Sequence, residues 1–243
     1  MRSFQDKAVL VTGASSGIGE AAVAQLRHAG ATVFGLVRRT DALEASKASH
    51  PDVRWLLGDV TRPDDCSAAM QVVLDQVGRL DVLVNNAGIF VYGSLENISE
   101  QSIRNHFETN VLGLIFMTQA ALPALTASRG SIINVSSAAG HKAVPGNSIY
   151  GATKAAVESL TTSWALELAP KGIRVNAVSP GPTESAGFAK MTARDREETV
   201  AQVPLGRKAS ADEVAHWIVA IADPGSTWMT GENLRIDGGM SLI

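Results

Sequence analysis

The sequence predicts an α/β fold: a doubly wound parallel sheet with helices on both faces. Three observations carry this. Short apolar, β-branched runs alternate with helical patterns along almost the whole chain, as in successive βαβ units. Most of those runs are apolar continuously rather than at every second residue, the pattern of parallel strands covered on both faces. The first run also leads through a glycine-rich turn into a helix, "VTGASSGIGEAAV" (11–23), which is how a strand hands over to a ligand-facing helix.

The strands are expected at "KAVLVTG" (7–13), "ATVFGLV" (31–37), "VRWLLGDV" (53–60), "LDVLVNNAG" (80–88), "SIINVSS" (131–137), "IRVNAVSP" (173–180) and "NLRIDGG" (233–239). Helical patterns fill 17–29, 63–77, 100–125, 148–169 and 211–222, and connections of this type wind right-handedly. The stretch 181–205 breaks the rhythm and is too long for an ordinary βα connection, so it reads as a substrate loop or lid. No linker, repeat or low-complexity tract interrupts the 243 residues. One domain over 1–243 is the expectation.

The first turn carries Gly13, Ser15, Ser16, Gly17, Ile18 and Gly19. Its glycines allow a sharp bend and a close backbone approach, and the helix behind presents free N–H groups and a positive dipole end. A pyrophosphate would fit there. Ordinary turn chemistry also uses glycines, but the position after the first strand favours a nucleotide. The fourth strand ends in Asn86, Ala87 and Gly88, which could simply close a turn. Ligands, however, collect where the strand order reverses, between strands one and four. Asp59 and Val60 end the third strand on the same rim, where Asp59 reads equally well as a helix cap.

"YGATK" places Tyr150 and Lys154 four residues apart, on one helix face. An ammonium near a phenol favours the phenolate and is expected to lower the Tyr150 pKa from its usual value of about 10. That would make Tyr150 a general acid in one direction and a general base in the other. The small residues Gly151, Ala152 and Thr153 keep the helix surface low.

Taken together, "TGASSGIG", "NNAG", Asn110, Ser137, "YGATK" and "SPGPTES" occur in the order and spacing of the short-chain dehydrogenase/reductase family, which the chain resembles from Val9 to Gly239. The resemblance implies a Rossmann-type sheet of about seven strands in order 3-2-1-4-5-6-7. It implies a catalytic set of Asn110, Ser137, Tyr150 and Lys154. In that set Ser137 bonds the substrate oxygen, Lys154 also bonds the nicotinamide ribose, and Asn110 holds a water that links Lys154 to solvent. Pro180, Gly181, Thr183 and Ser185 would hold the nicotinamide end. Thr183 and Ser185 depart from the family's usual Val or Ile and Thr, yet keep a backbone N–H or a hydroxyl. A homotetramer is implied as well, with the apolar end "MSLI" and the helix over 100–125 as spare apolar surface.

The second strand addresses cofactor choice. NAD sites usually place an acid at its end to meet the adenosine ribose. Val37 stands there, followed by Arg38 and Arg39, with nothing expected nearby to repel a 2′-phosphate. NADP(H) is the reading, with NAD(H) as the alternative. The substrate walls are expected from Phe90, Val91, Ala138, Ala139, Val144, Pro145, Phe188 and Met191, all uncharged, with Ala139 and Phe188 contacting substrate. His141 and Asn147 are expected to be solvent-exposed loop residues, Asn147 capping the Tyr150 helix.

Composition removes other classes. A net charge of −3 gives no footprint for nucleic acid or an anionic membrane. The single cysteine, Cys66, forms no internal disulfide and points to a reducing, cytoplasmic setting, and its acidic context disfavours a thiolate. The histidines lack metal-ligand spacing, so no metal is expected. A carbonyl reductase or alcohol dehydrogenase for an apolar small molecule leads. A 3-oxoacyl-(acyl-carrier-protein) reductase shares every motif, with Arg129 and Lys171 near the rim as a docking patch. A silent dinucleotide-sensing regulator would have little reason to keep the four catalytic residues.

Overall fold

In the computed structural model, residues 3–184, 186–189 and 191–243 are described. The chain runs β1 (Ala8–Thr12), α1 (Gly17–His28), β2 (Thr32–Val37), α2 (Thr40–Ser49), β3 (Arg54–Leu57), α3 (Pro63–Val77), β4 (Val82–Asn85), α4 (Glu100–Phe107), a π-helical turn (Glu108–Leu112) and α5 (Gly113–Ser128). It continues through β5 (Ser131–Val135), a short turn of 3-10 helix (Ala138–Gly140), α6 (Ser148–Leu168), β6 (Arg174–Pro180), α7 (Ala186–Ala189), α8 (Ala193–Ala201), α9 (Ala211–Ala222) and β7 (Asn233–Ile236).

The strands form one parallel sheet in the order β3-β2-β1-β4-β5-β6-β7. Their unbroken apolar runs now have a cause. In β1, Val9 and Val11 join the core beneath α1 and α9, while Leu10 faces the opposite core with Met70 of α3, Met117 of α5 and Leu168 of α6. Both faces are dry, so period-two alternation disappears. Only the edge strands β3 and β7 keep exposed positions.

Two expectations need correction. The helix read over 100–125 is interrupted by the π turn at Glu108–Leu112, which contains Asn110. The stretch 181–205 is not a plain loop: it carries α7 and α8. Helix α2 is absent from the helical stretches expected above. The segment Glu100–Ser128 is long and apolar enough to cross a membrane by length and composition, but here α5 packs on α3 and β4.

The reversal of strand order falls between β1 and β4, and the carboxyl ends of β1, β4, β5 and β6 share one edge. The cleft opens along that edge.

Candidate active site

The turn after β1 is built for close approach. Gly13 has φ 62°, and a Cβ on it would lie 2.8 Å from the Ala87 Cα. On Gly19 a Cβ would come within 2.4 Å of both Asn86 Nδ2 and Gly13 O. Side chains at either place would push the turn off the end of β4. Asn86 fastens the two, donating from Nδ2 to Thr12 O at 2.9 Å and Gly13 O at 3.0 Å. Ser16 is the N-cap of α1 but makes no side-chain cap bond, leaving its hydroxyl to the cleft. Gly19 itself does not line the cleft; its place is the packing of helix on turn.

A single cleft of about 820 Å³ joins this turn to Tyr150. Its walls include Gly13, Ser15, Ser16, Gly17 and Ile18 from the first turn, Asp59 and Val60 after β3, and Asn86, Ala87 and Gly88 after β4. Ser137, Ala139, Tyr150, Lys154, Pro180, Gly181, Thr183 and Phe188 complete the other half. Ser185 lies outside the described residues. Of the expected apolar wall, Phe90, Ala138, Val144 and Met191 are in place. Val91, 47% exposed, and Pro145 instead face solvent.

Tyr150 and Lys154 enter the cleft from the first turns of α6. The Phe90 ring meets Tyr150 edge-on at 4.9 Å between centroids, and the Ser137 hydroxyl stands near enough to the phenol to favour its charged form. Gly151 makes room for this: a Cβ there would lie 2.6 Å from Ala139 O, in the turn that carries Ser137 to Ala139. Lys154 is buried, and its Nζ donates to Val135 O at 2.8 Å while standing 5.6 Å above the Tyr150 ring centroid.

In the protein alone, the ammonium does not bring about the expected lowering of the phenol. Burial pushes the Tyr150 phenol up from its ordinary value, with the Ser137 hydroxyl pulling the other way. Burial also draws the Lys154 ammonium down to about 8, opposed by the charge of Glu158. The ammonium is spent on Val135 O rather than aimed at the phenol oxygen. In the protein alone Tyr150 is therefore a neutral phenol at pH 7, not an incipient phenolate.

Asn110 reaches the site from behind rather than lining the cleft. Its Nδ2 donates to Ile89 O at 3.0 Å and Thr153 Oγ1 at 3.0 Å, and its Oδ1 accepts from Ile89 N at 2.8 Å. The π turn aims this side chain, a common use of such a bulge. Gly88 lets the strand end pass, since a Cβ there would lie 3.3 Å from Asn110 Oδ1 and 3.7 Å from Lys154 Nζ.

At the far end of the cleft, Val37 is buried and Arg38 is 58% exposed on its side chain. Two carboxylates stand beside the arginines that follow Val37. Arg39 is committed to Asp41 through two short hydrogen bonds of 2.9 and 2.6 Å, and Asp59 stands 3.9 Å from Arg38. Asp59 also accepts from Thr61 N and Thr61 Oγ1, so its turn-capping role is real. Arg38 is the freer of the two cations.

Other assignments change as well. His141 is not a solvated loop residue: its Nδ1 donates to Glu158 Oε1 at 3.0 Å. Asn147 occupies the N-cap of α6 without a side-chain cap bond and lines the cleft instead. Arg129 and Lys171 precede β5 and β6, at the opposite edge of the sheet from the cleft, so they form no docking patch beside it. Cys66 is buried, and its thiol is pushed up to about 11 by burial and the nearby Asp65 and Asp59.

Two participants were missed. Buried His106 accepts from Val91 N at 3.2 Å and donates from Nδ1 to Ser102 O at 2.7 Å, holding the segment that presents Phe90. Glu158 lies behind Lys154; its spacing, four residues on along α6, was the only signal in the sequence.

Comparison with known proteins agrees with this geometry. A family model described as enoyl-(acyl carrier protein) reductase matches residues 13–241. An uncharacterized oxidoreductase of Methylorubrum extorquens is 36% identical over 99% of this chain and 100% of its own. The 3-oxoacyl-(acyl-carrier-protein) reductase of Thermotoga maritima is 37% identical over 98% of this chain and 99% of its own. That of Vibrio cholerae is 36% identical over 99% of this chain and 100% of its own. With the seven-stranded sheet, the glycine turn and the tyrosine–lysine pair in one cleft, the chain belongs to the short-chain dehydrogenase/reductase family and is a nicotinamide-dependent oxidoreductase.

Proposed function

We propose that this enzyme uses NADP(H) to interconvert a carbonyl and an alcohol on a small-to-medium apolar substrate. The observation that carries the reading is the Tyr150 phenol, braced by Phe90, in one cleft with Ser137, Lys154 and the glycine turn. The uncharged walls at Phe90, Ala138, Val144 and Met191 suit a neutral ketone, aldehyde or secondary alcohol.

The residues present fit a dinucleotide. Gly13 and Gly19 hold open the space a side chain would fill, and the N-terminus of α1 faces the cleft with the dipole polarity a pyrophosphate needs. Asn86, Ala87 and Gly88 would flank the adjoining ribose, Lys154 would bond the nicotinamide ribose, and Pro180, Gly181 and Thr183 would hold the carboxamide. Arg38 would meet an adenosine 2′-phosphate with a charge-assisted fork, for which it is better free than Arg39.

The bound nicotinamide supplies or takes up the hydride. Ser137 holds the substrate oxygen, and Tyr150 gives that oxygen its proton as the alcohol forms, taking one back in the reverse direction. Because burial keeps the phenol above its ordinary range, it is protonated at neutral pH and ready for reduction. Asn110 fixes Ile89 and Thr153 around Lys154, and a water beside it would return the proton from solvent.

A second reading, reduction of a 3-oxoacyl group on acyl-carrier protein, is favoured by the printed names of the Thermotoga and Vibrio relatives. We favour the free small molecule because Arg129 and Lys171 leave the cleft rim without the expected basic patch. The chain is proposed to act as one domain, in the cytoplasm, as a homotetramer. Exposed Leu166, Trp228 and Leu242 offer apolar surface for assembly. The test is a nicotinamide-absorbance assay of ketones, aldehydes, alcohols and a β-ketoacyl thioester with both cofactors. Turnover of free carbonyls with NADPH supports the reading, whereas turnover of the thioester alone replaces it with the second.

A further inference from the structure

Glu158 stands one helical turn beyond Lys154 and two beyond Tyr150 on α6, so the three side chains share a face. A glutamate in mid-helix ordinarily reaches into water, yet this one keeps only 17% of its side chain exposed. One oxygen, Oε1, is met by the Ser136 hydroxyl at 3.1 Å, the Ser179 hydroxyl at 3.0 Å and His141 Nδ1 at 3.0 Å. Those partners come from three separate pieces of chain. Ser136 adjoins Ser137 at the end of β5, Ser179 adjoins Pro180 at the end of β6, and His141 closes the turn that carries Ala138 and Ala139.

A carboxylate removed from water stays ionised only with donors and a nearby cation. The charged groups around it are Lys154 on its own helix and His141 on the turn, which also favours the ionised Asp237 after β7. Gly140 shows how closely the turn is seated: a Cβ there would lie 2.7 Å from Glu158 Oε1 and 3.0 Å from the Lys154 carbonyl carbon.

We propose that Glu158 is a positioning residue: its carboxylate is the counter-charge one helical turn behind Lys154, and its hydrogen bonds clamp the ends of β5 and β6 and the His141 turn onto α6. The proposal rests on reading Tyr150 and Lys154 as the acid–base pair. It goes beyond that reading by assigning the residue that keeps the pair in its working state. In support, the charge of Glu158 is what opposes the loss of the Lys154 proton in its buried site.

The test reads Lys154 directly, without turnover. Protein carrying isotope-labelled lysine ε-carbons is titrated by NMR, and Lys154→Met identifies the resonance. The wild-type midpoint is expected near 8. Glu158→Gln, which keeps shape and hydrogen-bond acceptors, should lower it by about one pH unit or more. Glu158→Asp, with its charge drawn back by a methylene, should lower it by less. A midpoint unmoved in Glu158→Gln overturns the proposal; if that variant does not fold, an unmoved midpoint in Glu158→Asp does so. Failure of the functional reading is distinct: Glu158→Gln would shift the Lys154 midpoint as expected while the wild-type protein reduces no carbonyl.

Discussion

Replacing Lys154 with methionine should stabilise the protein at neutral pH while removing its chemistry. The ammonium is only 5% exposed, and burial draws its pKa from 10.5 to about 8. Below that value the charged form is worse off in the fold than in the unfolded chain by about 3 kcal/mol. Methionine fills a similar volume without charge but forfeits the hydrogen bond to Val135 O, worth about 1 kcal/mol. The net gain near pH 7 is about 2 kcal/mol, or roughly 4–8 °C in Tm for a chain of this size. The sign with pH is fixed. From about 8 to 10.5 the unfolded chain holds a proton that the folded one has released, so wild-type stability rises with pH across that window. The advantage of the variant should vanish there and turn slightly negative. Urea unfolding near the two ends of the window is the assay. A variant less stable than wild type at neutral pH, or a gap that does not close with pH, would refute the reasoning.

Three further outcomes are expected. Arg38→Ala should weaken NADPH binding about ten- to a hundredfold, the cost of one charge-assisted phosphate contact, and Val37→Asp with Arg38→Ala should turn kcat/KM toward NADH; a wild type that already prefers NADH contradicts the cofactor assignment. Gly151→Ala places a Cβ against Ala139 O, and the forced shift of the Ser137 turn should cost about 1–3 kcal/mol in thermal unfolding together with most of kcat, whereas a neutral substitution would show the contact to be slack. Light scattering at micromolar concentration should report a tetramer, and a monomer would sink that expectation.

Much of this molecule is legible in its residues because the sheet is buried on both faces. The strands announce themselves as unbroken apolar runs, and α3 and α9 fall where their periodicity puts them. Helix α2 escaped because it buries only Leu43 and Ser46, too little for an apolar stripe to form. Helix α8 escaped for the same reason, having no buried residue and a charged sequence. The π turn at Asn110 is invisible to periodicity, since it is set by a side chain closing on Ile89, a contact between residues far apart in sequence. The four residues proposed as catalytic were readable as motifs, but the source of the Tyr150 environment was not. Spacing places an ammonium near a phenol; it cannot say that the ammonium is spent on Val135 O, that burial dominates, or that Glu158 stands behind it. Likewise two adjacent arginines look alike in the sequence, and only the fold shows that Arg39 is paired to Asp41 while Arg38 stands beside Asp59.

The most direct measurement of the central claim is Tyr150→Phe, assayed for NADPH-dependent carbonyl reduction beside fluorescence titration of NADPH binding. The ring keeps its contact with Phe90 and loses only the oxygen and its proton. Reduction should fall by at least the 100–10,000-fold that general acid catalysis contributes, with NADPH affinity within about threefold of wild type. A variant that keeps near-normal kcat would contradict the assignment of Tyr150 as the proton donor, and with it the account of the site.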